Sequence, residues 1–337
     1  MKHTILGSLA GLMLGLGTGA ATAQDVTLRV ADSLPVGHYI AESLLLPFID
    51  EIEKTTDGKV GFDYFPAQQL GKAKDMLSLT QTGVTDMGYI GASYVADKLP
   101  LSSVAQLPGS FSSSCEGTMA YWSLAKPGGI LDQEEYAPEG VRALMVLALA
   151  PYQLFSAKEL SDLESFQGQK MRTSGGAQAL AMTKLGGVPV QMSAPETREA
   201  LSRGTLDAIV FPHSSVPPYD LTPHLKSATE DLNLGSFVLA YMISQEKYDS
   251  LPADVQQSLT EAGEEATRRA CELVDAQDRT DKQAIADEGV NFVKLPESDV
   301  AKVQKILAGV GDEWAAELDA RGKPGSTVLS AFQDALN

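Results

Sequence analysis

Residues 252–288 read PADVQQSLTEAGEEATRRACELVDAQDRTDKQAIADE, and this stretch decides the architecture. Pro252 suits the first turn of a helix, and Gly263 is the only glycine inside the run. Val255, Leu259, Ala262, Ala266 and Ala270 recur at helical spacing and form one apolar stripe, with charged residues over the rest. At about 1.5 Å per residue such a helix runs to roughly 50 Å, longer than one lobe of a chain this size is wide. It is therefore expected to span two lobes and to bend when a cleft between them closes. A pair of helices broken near Asp278–Thr280 is the other reading open at this point.

Upstream of this helix the chain alternates strand and helix. Val26, Leu28 and Val30 alternate with polar residues and predict a strand. His38–Glu53 carries Ile40, Leu44, Phe48 and Ile52 at helical spacing. Val60–Phe65 reads as a strand, 72–82 as a helix and 86–90 as a short strand. A second unit of the same kind follows: strands at 141–149, 170–173, 188–192 and 207–211, with helices at 177–185 and 195–203. Residues 237–244 are apolar enough for a strand buried on both faces. This alternation argues for α/β lobes with parallel or mixed sheets.

The N-terminus predicts the compartment. Lys2 precedes an uncharged apolar run from Ile5 to Ala20, and Ala21-Thr22-Ala23 offers a signal-peptidase site. Residues 1–23 are expected to be a signal peptide, cut before Gln24, which directs the chain to the periplasm. The 44 acidic and 26 basic residues give a formal net charge of −18. Such a charge repels nucleic acid and anionic membrane surfaces, so neither is expected as a partner. Cys115 and Cys271 are the only cysteines. In an oxidising compartment an even pair favours a disulfide over a metal site, and two separate buried thiols are the alternative.

Three segments, taken together, resemble the DctP-type substrate-binding subunits of TRAP transporters. The first is Tyr64-Phe65-Pro66-Ala67-Gln68-Gln69-Leu70-Gly71, the second Phe166-Gln167-Gly168-Gln169-Lys170-Met171-Arg172. The third runs from Gly187-Val188-Pro189-Val190 and Met192 through Glu196–Leu201 to Gly204-Thr205-Leu206-Asp207. The resemblance covers nearly the whole chain after the signal segment. It implies a two-lobed periplasmic binding protein fold with a ligand cleft between the lobes. One lobe would hold 24–149 plus 238–277, the other 150–237 plus 278–337. Its partners would be a small organic acid and the membrane subunits of a TRAP transporter, with the protein itself a monomer.

The resemblance also implies a site. Arg172 aligns with the family arginine that pairs with a ligand carboxylate, and a planar guanidinium fork matches two carboxylate oxygens. Departures from the family pattern change its surroundings. Phe211 replaces a ligand-binding asparagine, and Tyr152 stands where some members carry a second arginine. After the third strand, Tyr89 and Tyr94 flank a segment without the acidic residue of some relatives. His38 and His213 are further candidates. The expected ligand is a monocarboxylate with an apolar or aromatic body, held by Arg172 among Tyr89, Tyr152 and Phe211. The competing ligands are a betaine-like zwitterion in an aromatic cage and a dicarboxylate.

Other classes fare less well. No zinc-protease spacing, nucleophile elbow, phosphate loop or dinucleotide fingerprint occurs, so no enzyme activity, cofactor or metal is expected. A periplasmic sensor subunit with the same fold is the remaining rival, since fold does not fix the partner.

Overall fold

The computed structural model describes residues 26–337, so the expected signal segment and its cleavage before Gln24 lie outside the described residues. In the first of two sheets, β1 (Val26–Ala31) pairs in parallel with β2 (Val60–Phe65) and β3 (Met87–Gly91). The crossovers carry α1 (Leu46–Thr55) and α2 (Met76–Gln81). After α3 (Ser114–Ala125), β4 (Val141–Ala148) forms the edge of this sheet. The chain then leaves to build β5 (Gln153–Ser156), β6 (Lys170–Thr173), α4 (Gly176–Lys184), β7 (Val188–Gln191), α5 (Thr197–Ser202), β8 (Ala208–Phe211) and β9 (Ser227–Thr229). It returns to insert β10 (Val238–Ser244) antiparallel between β3 and β4, giving the order β2-β1-β3-β10-β4. Every residue of β10 is buried, as expected of a strand covered on both faces.

Next come α6 (Gln245–Ser250) and α7 (Ala253–Asp287), then β11 (Asn291–Val293), which completes a six-stranded sheet in the order β11-β9-β5-β8-β6-β7. The architecture is thus two-lobed α/β, with strands and connections shared between the lobes. α7 runs for 35 residues without a break through Asp278–Thr280, which settles the choice in favour of one helix. All five residues of the expected stripe are buried, and the stripe continues through Val274 and Ile285. The helix packs on β4 and α3 of the first lobe and on the turn His213–Ser215 of the second. No helix of the described residues is long and apolar enough to cross a membrane.

Gly263 lets α7 lie against β4 backbone to backbone: a Cβ there would sit 2.2 Å from the Leu144 carbonyl oxygen. Four residues on, Thr267 Oγ1 accepts a hydrogen bond from Val146 N at 3.2 Å, so the helix also serves the strand's ladder. In an isolated helix Gly→Ala stabilises by roughly 1 kcal/mol. Here we expect Gly263→Ala to destabilise, by about 1–3 kcal/mol in urea unfolding, because the helix must lift from the sheet. A variant at least as stable as wild type shows that the contact relaxes.

Several elements escape the sequence patterns. α3 buries a broad arc that includes Ser114, Gly117, Thr118, Tyr121, Trp122 and Leu124 while exposing Met119 and Ser123, so polar and apolar residues do not separate into a stripe. Ser113 caps it by accepting from Glu116 N at 3.1 Å. Asp275 of α7 adds its carboxylate at 2.7 Å from Ser114 N and 3.2 Å from Cys115 N. Next to that cap a disulfide joins Cys115 to Cys271. β5 is only four residues long. The C-terminal helices α8 (Glu297–Leu307), α9 (Val310–Ala320) and α10 (Gly325–Ala335) were not expected either. α10 packs on α3, while α8 and α9 touch α4 of the other lobe. The helix expected from His38 begins with a wider turn, Ala41–Leu45, where Leu46 N bonds to Ala41 O.

Candidate ligand-binding cleft

Where the lobes meet, residues from both sheets line a cavity of about 20 Å³. That is room for about one water, far below the usual range of ligand pockets, so a ligand enters only when the walls move apart. β6 delivers Arg172 to it. Lys170 is exposed, Met171 enters the core below, and Arg172 faces the neighbouring lobe with 1 % of its surface exposed. Arg172 registers with Ile209 of β8, so Phe211, two residues further on, lies on the same face. The guanidinium carbon is 4.4 Å from the centre of the Phe211 ring, a cation–π contact.

The polar partners of Arg172 are few. Nε donates to Met192 O at 3.1 Å and Nη2 to the Tyr94 hydroxyl at 3.3 Å. Nη1 donates to no protein group among the described residues, and no carboxylate lies within 4.0 Å. Tyr94 follows β3 in the other lobe, and its hydroxyl also accepts from Ala194 N at 3.1 Å. One phenol of the first lobe therefore holds two groups of the second. A second tie is Tyr39 with Ser215, oxygen to oxygen 3.0 Å.

The rest of the wall is aromatic. Tyr152 stacks on Phe211 with ring centres 6.2 Å apart, and Tyr219 meets the same ring edge-on at 6.2 Å. Tyr89 comes from the middle of β3. Burial holds the phenols of Tyr89, Tyr152 and Tyr219 well above their usual range, so all three are neutral. None of their hydroxyls bonds to protein among the described residues. His38 is 1 % exposed, and burial pushes its pKa down to about 3. Its Nδ1 accepts from Ile40 N at 3.2 Å, while its Nε2 is buried and unpartnered.

The fold thus brings His38, Tyr89, Tyr94, Tyr152, Arg172 and Phe211 to one cavity, together with Tyr219, Phe237 and Ser215, which the sequence patterns did not single out. His213 is not part of this wall. Beyond Pro212 the chain enters a 3-10 turn that points the imidazole at α7, where Nδ1 is 2.7 Å from Asp278 Oδ2. Asp32, at the end of β1, is also committed elsewhere. It accepts from the hydroxyls of Tyr64 and Tyr241 and from Leu34 N, and burial raises its pKa to about 6. Among the described residues no cluster of three or more His, Cys, Asp or Glu is arranged to hold a metal ion.

Comparison with known proteins gives the setting of this cleft. The profile of the family described as bacterial extracellular solute-binding protein, family 7 (DctP) matches residues 30–317. The C4-dicarboxylate-binding periplasmic protein DctP of Rhodobacter capsulatus is 29% identical over 338 residues, covering 95% of this chain and 96% of its own. A TRAP periplasmic solute-binding protein from Bordetella bronchiseptica, solved with bound (R)- and (S)-mandelate, superposes with a TM-score of 0.83 at 26% identity, over 92% of this chain and 98% of that one. A Bordetella pertussis extracytoplasmic solute receptor binding pyroglutamic acid has the same fold, with a TM-score of 0.79 at 22% identity over 91% and 99% of the two chains.

Proposed function

Because the chain belongs to bacterial extracellular solute-binding protein family 7, the substrate-binding proteins of TRAP transporters, we propose that it captures a small organic monocarboxylate in the cleft and delivers it to a membrane transporter. The observation that carries this reading is Arg172, a buried guanidinium without a counter-charge. A lone buried charge costs several kcal/mol, and an entering carboxylate removes that cost while occupying the unused donors of the fork. The mandelate and pyroglutamic acid held by the two Bordetella proteins are monocarboxylates and support the class.

The competing ligands fit the charges less well. A dicarboxylate brings a second negative charge, and the cavity offers no second cation, since His38 is neutral. A betaine-like zwitterion brings a cation to an aromatic wall that already holds Arg172 over Phe211. We place the protein in the periplasm after removal of residues 1–23, working as a monomer and by binding rather than catalysis.

A thermal-shift screen of the chain from Gln24 against monocarboxylates, dicarboxylates and betaines tests the proposal. Binding at 100 times the dissociation constant adds about 2.7 kcal/mol to stability, a readily visible shift. Monocarboxylates are expected to give the largest rise in melting temperature. A larger rise with betaines or dicarboxylates, or none with any acid, overturns the reading.

A further inference from the structure

The cleft has a second polar pole that a carboxylate on Arg172 does not use. Ile40 N–H donates to Nδ1 of His38, so that nitrogen is the acceptor. A neutral imidazole carries one proton, which therefore sits on Nε2. This N–H is buried, belongs to a residue that lines the cavity and has no acceptor among the described residues. Tyr89, Tyr152 and Tyr219 line the same cavity, and their hydroxyls have no protein partner among the described residues. The wall is thus aromatic in its carbon surface and donor-rich in its polar atoms. A ligand with a bare hydrocarbon body leaves these donors stranded, and an unmade buried hydrogen bond costs more than a made one contributes.

We propose that the site selects monocarboxylic acids carrying a second, uncharged oxygen, an oxo, hydroxyl or amide oxygen that accepts from His38 Nε2–H and the neighbouring tyrosine hydroxyls. This rests on the reading of Arg172 as the carboxylate anchor and adds what else the ligand must carry. A second carboxylate does not satisfy the pole, because every donor there is neutral and ionic charge would be buried without a cation. Nor does an ammonium group, which has no lone pair to accept from His38 Nε2–H.

Calorimetric titration of the chain from Gln24 with matched acids tests this: phenylacetate against mandelate, butanoate against 2-oxobutanoate, and cyclopentanecarboxylate against pyroglutamate. The oxygen-bearing partner of at least one pair is expected to bind about 10- to 100-fold more tightly, the range for satisfying rather than stranding a buried donor. His38→Phe keeps an aromatic ring and removes the N–H, so the preference should shrink to within about 2-fold. Tyr152→Phe removes a hydroxyl with no protein partner, and narrows the preference in part; it serves as the second test where His38→Phe folds poorly. Equal affinities within every pair for the wild type mean that water serves these donors, and overturn the inference while the monocarboxylate reading stands. An undiminished preference in both variants does the same. Absence of binding by any acid of either kind removes the Arg172 reading itself, and this one with it.

Discussion

Arg172→Met is expected to weaken monocarboxylate binding by about 100- to 1000-fold while leaving the melting temperature of the unliganded protein unchanged or higher. The binding effect follows from removing one partner of a desolvated charge pair, which costs about 2–5 kcal/mol because the other charge is left buried alone. At about 1.4 kcal/mol per tenfold, that span brackets the stated loss. The stability effect has the opposite sign because Arg172 has no counter-ion within the protein: its protein partners are one carbonyl and one phenol. Methionine fills the volume against Phe211 without a charge to desolvate. Arg172→Lys separates charge from geometry. It keeps the cation but loses the planar fork, and should recover only part of the affinity. Calorimetry and thermal melting on the three proteins decide the matter. A Met variant that melts far below wild type marks Arg172 as a structural residue, and unchanged affinity removes it as the anchor.

The same residue shows how legible the site is in the sequence. Nothing about Lys170-Met171-Arg172 by itself separates a cleft arginine from a solvated one. The resemblance supplied the role, and the structure supplies the direction in which the side chain points. Tyr219 and Phe237 could not be found in that way. Tyr219 sits in a 3-10 turn after Pro217 and Pro218, and Phe237 just before β10. Both reach the cavity only through the meeting of two lobes, which no local pattern encodes. His213 illustrates the converse. It is two residues from Phe211, yet the turn after Pro212 sends it to Asp278 on α7.

Elements followed the same rule. α7 was readable because one face packs on the sheet and the other meets water, which writes a stripe into the sequence. α3 buries Gly117 and Thr118 beside Trp122 and exposes Met119, so it gives no period to read. β5 is too short for alternation to register, although it sits inside its sheet between β8 and β9.

Loss of the Cys115–Cys271 disulfide is expected to lower unfolding stability by about 2–5 kcal/mol and to change ligand affinity by less than about 2-fold. The bridge spans a sequence separation of 156 residues. Closing so long a loop in the unfolded chain removes entropy worth about 5 kcal/mol at 25 °C in the chain-entropy picture, an upper value because unfolded chains retain some structure. The folded state has independent ties at the same place. Asp275 caps the first turn of α3 through Ser114 N and Cys115 N, and α3 and α7 both pack on β4. Those ties survive reduction, so the folded geometry should persist while the unfolded ensemble expands. Neither cysteine borders the cavity, which is why affinity is expected to hold. Urea unfolding of the wild type with and without reductant, beside the double variant Cys115→Ala/Cys271→Ala, measures the effect. The reduced wild type should approach the variant's midpoint. A midpoint indifferent to reductant, with the bond shown to be open, means that loop closure adds nothing here. A large loss of affinity in the double variant means instead that the bridge shapes the cleft through α7, and that the long helix transmits strain from its anchor in the first lobe to the turn it supports at His213–Ser215.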